Sequence, residues 1–413
     1  MYDTRFVQER LANGLRVVIE VMPQVHSAAC GFLARTGARD DPADLAGVAH
    51  FLEHMMFKGT ARRTCQQINI EFDEIGAHYN AYTTKDRTFY YGWAQTQDLD
   101  RQLDLLADMM RSVLPPEEFE LERNVVLEEI AMANDDLEAS AYDFLYEQVC
   151  AGSPLAWPVL GYERTIKSMT CPAMRAYFRR PYSPGNLMLV VAGDVEPDAV
   201  LCSVRRLCGS WEAGDGTGAL RRAPQVRTGR ATRPLERFHQ QALLLVFPSA
   251  AAGHPMEETA QAVAAILGGT NSRFYWNIVQ KGISSRAGVF QEEYADFSLM
   301  VMYGLCEPDN CQKLHDAMRH EAAELVRAGP QPKEIQRVKN LRRTALATES
   351  EAPFYRLGQI VDDMEYHGAP RPAEARLAAV DAVSAETIAE YLQQFPISGE
   401  GFLASVGPRN WPG

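Results

Sequence analysis

The sequence predicts an α+β chain made of two related domains, and three observations support this prediction. At 413 residues, the chain is longer than one hydrophobic core usually supports. Strand-sized apolar runs alternate with segments of helical periodicity. The order strand, helix and Gly-rich break occurs at residues 28–60 and again at 241–273, which indicates a faint internal repeat. Residues 216–235, rich in Gly, Arg, Thr and Pro, are predicted to link a domain at 1–215 to one at 236–413.

The first elements are strands around one apolar helix. Asn13-Gly14 between two alternating runs predicts a hairpin over residues 6–20, and residues 28–34 predict a third strand. Residues 48–58 are apolar nearly all round, which is typical of a helix buried inside a large protein. A further helix is predicted at 66–75, followed by strands at 76–84 and 88–93.

Long helices follow the early strands. Apolar spacing predicts a helix over 98–114, and Pro115-Pro116-Glu117-Glu118 is typical of the start of another that runs to Asn134. Residues 142–149 predict a further helix, and 186–193 predict a buried strand. Beyond the linker, residues 241–247 predict a strand and 256–267 a helix, which restarts the order seen near the N-terminus.

Composition excludes several classes of function. The formal net charge of −13 argues against nucleic acid, whose binding rests on cationic contacts to phosphates. The longest apolar runs are too short to cross a bilayer, so no membrane partner is expected. The N-terminal segment has no apolar core of a signal peptide, and the eight scattered cysteines form no Cys-x-x-Cys pair. Together these features predict a cytoplasmic protein with reduced thiols.

The strongest chemical motif is His-x-x-Glu-His, formed by His50, Glu53 and His54. On a helix these offsets place the three side chains on one face. Two imidazoles four residues apart can hold one zinc ion, and the carboxylate between them can take a proton from a water molecule. Alternatively, the pattern is a matter of chance, or the histidines are core residues satisfied by hydrogen bonds.

Residues 50–60 read His-Phe-Leu-Glu-His-Met-Met-Phe-Lys-Gly-Thr. This segment closely resembles the signature of the inverted-zincin peptidases of the pitrilysin and mitochondrial processing peptidase family, and nearly the whole chain resembles the short, two-domain branch. The resemblance implies two homologous domains, each a mostly antiparallel sheet with helices packed on one face. It also implies that only the first domain holds Zn²⁺ and that the activity is zinc-dependent hydrolysis of peptide bonds.

A third zinc ligand is expected on the helix that starts at Pro115-Pro116. Glu122 and Glu129 lie seven residues apart and therefore on the same helical face. The stretch from Glu122 to Glu129 resembles the family pattern in which the last glutamate binds the metal, which implies Glu129 as a ligand and Glu122 as a residue that orients a liganding histidine. Glu128 is the competing candidate, one residue away and about 100° around the helix.

Substrate contacts are expected on the strand that contains Asn80 and Ala81. The segment 76–83 resembles the family's Asn-Ala-x-Thr strand, which pairs with an extended peptide through backbone hydrogen bonds. Asn80 and Ala81 are therefore the candidate substrate-binding residues. His78, a lone histidine in the same segment, is interpreted as structural or solvent-facing.

The chain departs from the family at one place. Self-sufficient members carry, in the second domain, an arginine and a tyrosine seven residues apart that reach the substrate. In this sequence the arginine position falls on Val279 and the tyrosine position on Arg286, or on Ser285 if one residue is deleted. The family builds a closed chamber from four homologous halves. We therefore expect a dimer, and specifically a heterodimer whose partner supplies the Arg/Tyr clamp; the alternative is a homodimer that uses Arg286.

The sequence is also compatible with two other functions. One is a non-catalytic subunit like the core proteins of respiratory complexes, which the simultaneous presence of His50, Glu53, His54 and Glu129 argues against. The other is a maturation protease dedicated to one precursor peptide, which sequence alone does not separate from a general peptidase.

Overall fold

The computed structural model describes residues 5–214 and 221–413, and these residues form two compact units. The first unit comprises 5–131, 157–214 and Thr348–Pro372. The second comprises Met132–Ala156, Arg221–Ala347 and Ala373–Gly413. The units are therefore not the two continuous stretches, 1–215 and 236–413, that the sequence predicts, because each contains one segment from the other half of the chain.

Regular structure accounts for most of both units. The strands are β1 (Arg5–Arg10), β2 (Arg16–Val21), β3 (Ser27–Ala34), β4 (His78–Thr83), β5 (Thr88–Gln95), β6 (Leu187–Gly193), β7 (Gly229–Pro234), β8 (Gln241–Ser249), β9 (Arg286–Glu293), β10 (Ser298–Cys306) and β11 (Phe402–Gly407). The first eight helices are α1 (Val48–Met56), α2 (Cys65–Glu74), α3 (Leu99–Met109), α4 (Pro116–Asp135), α5 (Leu137–Val149), α6 (Glu163–Ser168), α7 (Cys171–Phe178) and α8 (Pro197–Cys208). The others are α9 (Glu257–Gly268), α10 (Cys311–Ala328), α11 (Pro332–Glu349), α12 (Pro353–Tyr366), α13 (Ala373–Ala382) and α14 (Ala385–Gln394).

The two sheets share one topology. In the first unit the strand order is β1-β2-β6-β3-β5-β4, and in the second it is β7-β11-β8-β10-β9. If β1 is set aside, both sheets have the spatial order first, fifth, second, fourth, third in chain sequence. In both, the first and fifth strands pair parallel and all other neighbours pair antiparallel. This shared topology confirms the predicted α+β fold with two homologous, mostly antiparallel sheets.

The central strands are buried on both faces. In the first sheet Val17 and Ile19 belong to the large core beneath α1 and α3, whereas Val18 between them belongs to a second core with α12. Because successive side chains of a strand point to opposite faces, burial on both faces explains the continuous apolar runs of these strands. The helices predicted on one face of the first sheet are thus present, and α12 covers the opposite face of that sheet.

Helices α5 and α12 hold the same place in the two repeats. Each follows a long helix, α4 or α11, and precedes the last strand of its repeat. Yet α12 packs on the first sheet, where Arg356 Nε donates a buried hydrogen bond to Glu20 Oε2 of β2 at 2.7 Å. Helix α5 packs in the core of the second sheet. This exchange is the reason that each compact unit includes a segment from the other half.

Part of the predicted linker is a strand. Residues 216–220 lie outside the described residues, but β7, within the predicted 216–235, pairs parallel with β11, with Ala231 opposite Ala404. The linker prediction was therefore wrong for β7. The hydrogen-bonding partner of β7 lies about 170 residues further along the chain, so the local composition gave no sign of it. Among the helices in the described residues, none is both long and apolar enough to cross a membrane.

Candidate metal centre

Helix α1 carries the His-x-x-Glu-His motif and is fixed at its N-terminus. Gly47 precedes it with φ +96°, and a Cβ at this position would approach Leu160 O to 2.6 Å, so only glycine fits. The amides of Gly47 and Ala49 donate to the two carboxylate oxygens of buried Asp41 at 2.8 and 3.3 Å. Burial raises the pKa of Asp41, and the two amide hydrogen bonds oppose the rise. This cap holds the first turn of α1 in place.

The two histidines and Glu129 of α4 converge on one point. Glu129 Oε2 lies 3.5 Å from His50 Nε2 and 3.6 Å from His54 Nε2. Two atoms bound to one tetrahedral zinc ion at about 2.0–2.2 Å lie about 3.3–3.6 Å apart, so the arrangement fits zinc. Within residues 5–214 and 221–413, these three side chains form the one group of at least three such residues that could hold a metal. Three protein ligands leave the fourth tetrahedral position for water or substrate.

Glu122 forms a hydrogen bond with His54 and an ion pair with Lys58. Glu122 Oε2 accepts a hydrogen bond from His54 Nδ1 at 3.0 Å, and its other oxygen lies 2.5 Å from Lys58 Nζ. This bond places a proton on Nδ1 and leaves the Nε2 lone pair facing Glu129. Burial alone raises the pKa of Glu122, but the hydrogen bonds from His54 and Lys58 outweigh it and lower the pKa overall.

The two histidines have opposite electrostatic surroundings. Burial, together with the nearby His54, lowers the pKa of His50 to about 3, which keeps its imidazole neutral. Burial also acts to lower the pKa of His54, but the hydrogen bond to Glu122 and the charges of Glu129 and Glu53 raise it overall. His50 Nδ1 is buried and has no hydrogen-bond partner among the described residues. The imidazole that a metal needs in its neutral form is therefore already neutral at His50.

The structure distinguishes between the two neighbouring acids on α4. Glu129 joins the histidines, whereas Glu128 is exposed to solvent and lies outside the group. Val126 and Ile130 are buried in the core and set the rotation of α4 about its axis. Glu122 and Glu129, seven residues apart, consequently face α1 together.

Glu53, between the histidines in sequence, points toward β4. Its Oε2 accepts a hydrogen bond of 2.5 Å from the Oγ1 hydroxyl of Thr83, which is the last residue of β4. Burial raises the pKa of Glu53, and the Thr83 hydrogen bond and the charge of His54 oppose the rise. The Glu53 carboxylate is therefore near His50, His54 and Glu129 but is not one of the candidate metal ligands.

Asn80 and Ala81 lie on β4, which is one of the two edge strands of the first sheet. Asn80 is exposed, its Oδ1 accepts a hydrogen bond from Ala81 N at 2.9 Å, and the Ala81 side chain is buried. One side of β4 pairs with β5, and the other side faces no strand of this sheet. The His78 ring stacks on the Trp93 ring, with their centroids 5.0 Å apart. His78 is not among the candidate metal ligands.

Three residues of this region have contacts that the sequence did not predict. Asp41 caps helix α1, Lys58 forms an ion pair with Glu122, and Thr83 donates a hydrogen bond to Glu53. Lys58 and Thr83 both lie inside the motifs discussed above, so their residue types were visible. Their partners come from other elements, and only the fold brings these residues together.

The chain matches two protein-family models. Residues 16–163 match the family described as Insulinase (Peptidase family M16), and residues 168–342 match Peptidase M16 inactive domain. Together these matches span most of both repeats. Residues 221–413, which are all described, contain no His/Cys/Asp/Glu group of the kind formed by His50, His54 and Glu129.

Curated relatives and solved structures give a consistent result. A Rickettsia felis protein named "Uncharacterized zinc protease" is 31% identical over 98% of each chain. The Bacillus subtilis "Uncharacterized zinc protease YmxG" is 32% identical over 82% of this chain and 83% of its own. A Helicobacter pylori protease structure covers 98% of this chain and 99% of its own, with a TM-score of 0.91 and 20% identity, which shows the same fold. The structure of a peptidase M16 inactive domain from Pseudomonas fluorescens covers 99% of both chains, with a TM-score of 0.88 and 16% identity.

Proposed function

Because the chain belongs to peptidase family M16, in its short two-domain branch, we propose that it is a zinc-dependent endopeptidase that cleaves peptides or unfolded segments. The observation that carries the proposal is the convergence of His50, His54 and Glu129 at ligand-atom separations of 3.5 and 3.6 Å, with Glu53 beside them. A non-catalytic subunit has no use for a half-buried carboxylate held next to a metal site.

His50, His54 and Glu129 are the residues that would hold zinc. The ion, when bound, supplies a Lewis acid that polarises both the scissile carbonyl and the attacking water. Glu122 orients His54 through the Nδ1 hydrogen bond, so that its Nε2 faces the metal position. Lys58 balances the charge of Glu122 and keeps that carboxylate ionised.

Glu53 is the proposed general base. It accepts a proton from water as the water attacks the peptide carbonyl, and it then delivers that proton to the departing amine. The raised pKa of Glu53 suits this double role, because a more basic carboxylate is a better proton acceptor. No other protein group is required to carry the proton.

The free edge of β4 is the proposed substrate track. An extended peptide that adds to this edge gains backbone hydrogen bonds that do not depend on its side chains. Asn80 and Ala81 contribute backbone groups there, three and two residues before Thr83, respectively. The proposal therefore predicts affinity for extended or unfolded segments and not for folded proteins.

We also propose that the active form is a dimeric chamber, with this chain as the zinc-bearing subunit of a heterodimer. Val279, at the arginine position of the family clamp, ends a short π-helical turn at Tyr275–Val279. Arg286, the residue that a homodimer would have to use, pairs with Glu138 Oε1 at 2.7 Å. This pair is exposed to solvent and therefore contributes little free energy. The heterodimer is favoured because Val279 offers no charged group at the arginine position.

The test is cleavage of a random peptide library by the purified chain, alone and with a neighbouring-gene homologue that carries the Arg/Tyr pair. Products are identified by mass spectrometry, and precursor peptides encoded by neighbouring genes are assayed in parallel. We expect low activity alone and at least ~100-fold more with the homologue, because one lost oxyanion donor costs about 10²–10³ in rate. A chelator should abolish cleavage and added zinc should restore it.

The control is the same homologue with its arginine and tyrosine replaced by alanine, which should bind but not activate. Full activity of the chain alone, unchanged by the homologue, would contradict the heterodimer but support the peptidase. Absence of cleavage under every condition would contradict the peptidase itself. Cleavage of one precursor and not of the library would identify a dedicated maturation protease.

A further inference from the structure

We propose that Thr83 is a positioning residue that orients Glu53 and couples this base to the substrate strand β4. The inference rests on the proposed function, in which Glu53 moves the proton. Its structural basis is the 2.5 Å hydrogen bond from Thr83 Oγ1 to Glu53 Oε2. Thr83 is the hydroxyl donor to this carboxylate within the part of the chain that the structure describes.

The Thr83 hydroxyl can donate its proton to Glu53, because the neighbouring hydroxyl of Thr88 donates its proton elsewhere. Thr88 lies directly across from Thr83 on β5, with the two hydroxyl oxygens 3.4 Å apart. Buried Thr88 donates its own proton to the carbonyl oxygen of Thr36 at 3.1 Å, so toward Thr83 it can act only as an acceptor. The single Thr83 proton therefore has two acceptors, and the closer, charged carboxylate is the stronger one.

The geometry constrains Glu53 more tightly than its own helix does. A glutamate side chain has three rotatable bonds, and a base displaced by about 1 Å loses much of its effect. Thr83 is β-branched and stiff at χ1, and it is held by pairing to β5, so it fixes one oxygen of Glu53. The other carboxylate oxygen is then free to face the attacking water.

Thr83 also connects the base to the substrate. It ends the same edge strand on which Asn80 and Ala81 lie, so a peptide that adds to β4 extends the sheet beside it. Strand β4 is paired to β5 along its whole length, so the strand that a peptide would extend also holds the base. Because Thr83 acts on the base and not on the binding of the peptide, the effect is expected in kcat rather than in KM.

The test compares Thr83→Val, which removes the hydroxyl at constant shape, with Thr83→Ser, which keeps it. We expect Thr83→Val to lose about 10- to 100-fold in kcat, the range for a lost hydrogen bond to a charged group. KM should change by less than about twofold, and about one zinc should remain per chain. Thr83→Ser should keep most of the kcat. Tyr82→Phe, which removes a hydroxyl from the preceding residue of β4, should act like the unchanged chain.

Two further readouts separate positioning from a structural role. A crystal structure of Thr83→Val should show Glu53 moved away from its place beside β4, with His50, His54 and Glu129 unchanged. In a chain that already carries Glu53→Gln, adding Thr83→Val should cost less than about twofold, because Thr83 acts through Glu53.

Each contrary outcome has a distinct meaning. If Glu53→Gln is impaired but Thr83→Val keeps full kcat, the positioning role is overturned and the peptidase proposal stands. The role is also overturned if Thr83→Val lowers activity by the same factor in the unchanged chain and in the Glu53→Gln variant. If Glu53→Gln itself is fully active, the proposed function fails before Thr83 is considered.

Discussion

Glu53→Gln is expected to bind about one zinc per chain and to lose at least ~100-fold in kcat. Glutamine keeps the shape of the side chain and accepts the hydrogen bond from Thr83, but it cannot take a proton from water. General-base transfer of this kind contributes about 10²–10⁴ in rate. The measurement is steady-state cleavage of a fluorogenic peptide under the most active condition found, together with zinc content by elemental analysis.

The matched control for this variant is Glu128→Gln, which makes the same chemical change at an exposed acid of α4. It should retain both zinc and activity. Loss of zinc in Glu53→Gln would show that Glu53 is a ligand and not a base. Retention of activity with zinc present would remove Glu53 from the mechanism.

Glu129→Gln is expected to lower zinc affinity by at least ~100-fold, the upper end of what loss of a supporting group alone costs. The physical reason is that Glu129 Oε2 is within 3.6 Å of both histidine nitrogens, where it supplies the negative charge of the ligand set. Competition with a chelator of known affinity measures the change. Activity should return at high zinc concentration if the site is weakened but not distorted.

Glu128→Gln is again the comparison, since it lies one residue away on the same helix. Its zinc affinity should remain within about twofold of the unchanged chain. If Glu128→Gln lost zinc and Glu129→Gln did not, the rotation of α4 in solution would differ from the structure by about 100°.

Local patterns predicted the helix α1 and the common face of His50, Glu53 and His54, because helical geometry alone fixes offsets of three and four residues. The same geometry predicted that Glu122 and Glu129 share a face. It did not decide between Glu128 and Glu129, since the absolute rotation of α4 depends on packing of Val126 and Ile130 into the core. The catalytic, metal-binding and substrate-binding roles of these residues remain predictions.

The features that the sequence did not predict depend on distant segments. Helix α12 packs on a sheet whose strands all lie far earlier in the chain, with Arg356 paired to Glu20. Strand β7 exists because β11 lies beside it. Lys58 and Thr83 were visible as residue types, but their partners Glu122 and Glu53 were not. Hydrophobic periodicity carries no information about such pairings, because it reports burial and not the identity of the neighbour.

Anomalous diffraction at the zinc absorption edge, from crystals of the purified chain, tests the central claim most directly. The predicted result is one strong anomalous peak at about 2.0–2.2 Å from His50 Nε2, His54 Nε2 and Glu129 Oε2, with Glu53 outside bonding distance. A peak bonded to a different set of residues, or no peak in zinc-supplemented crystals, would contradict the zinc site on which the proposed peptidase depends.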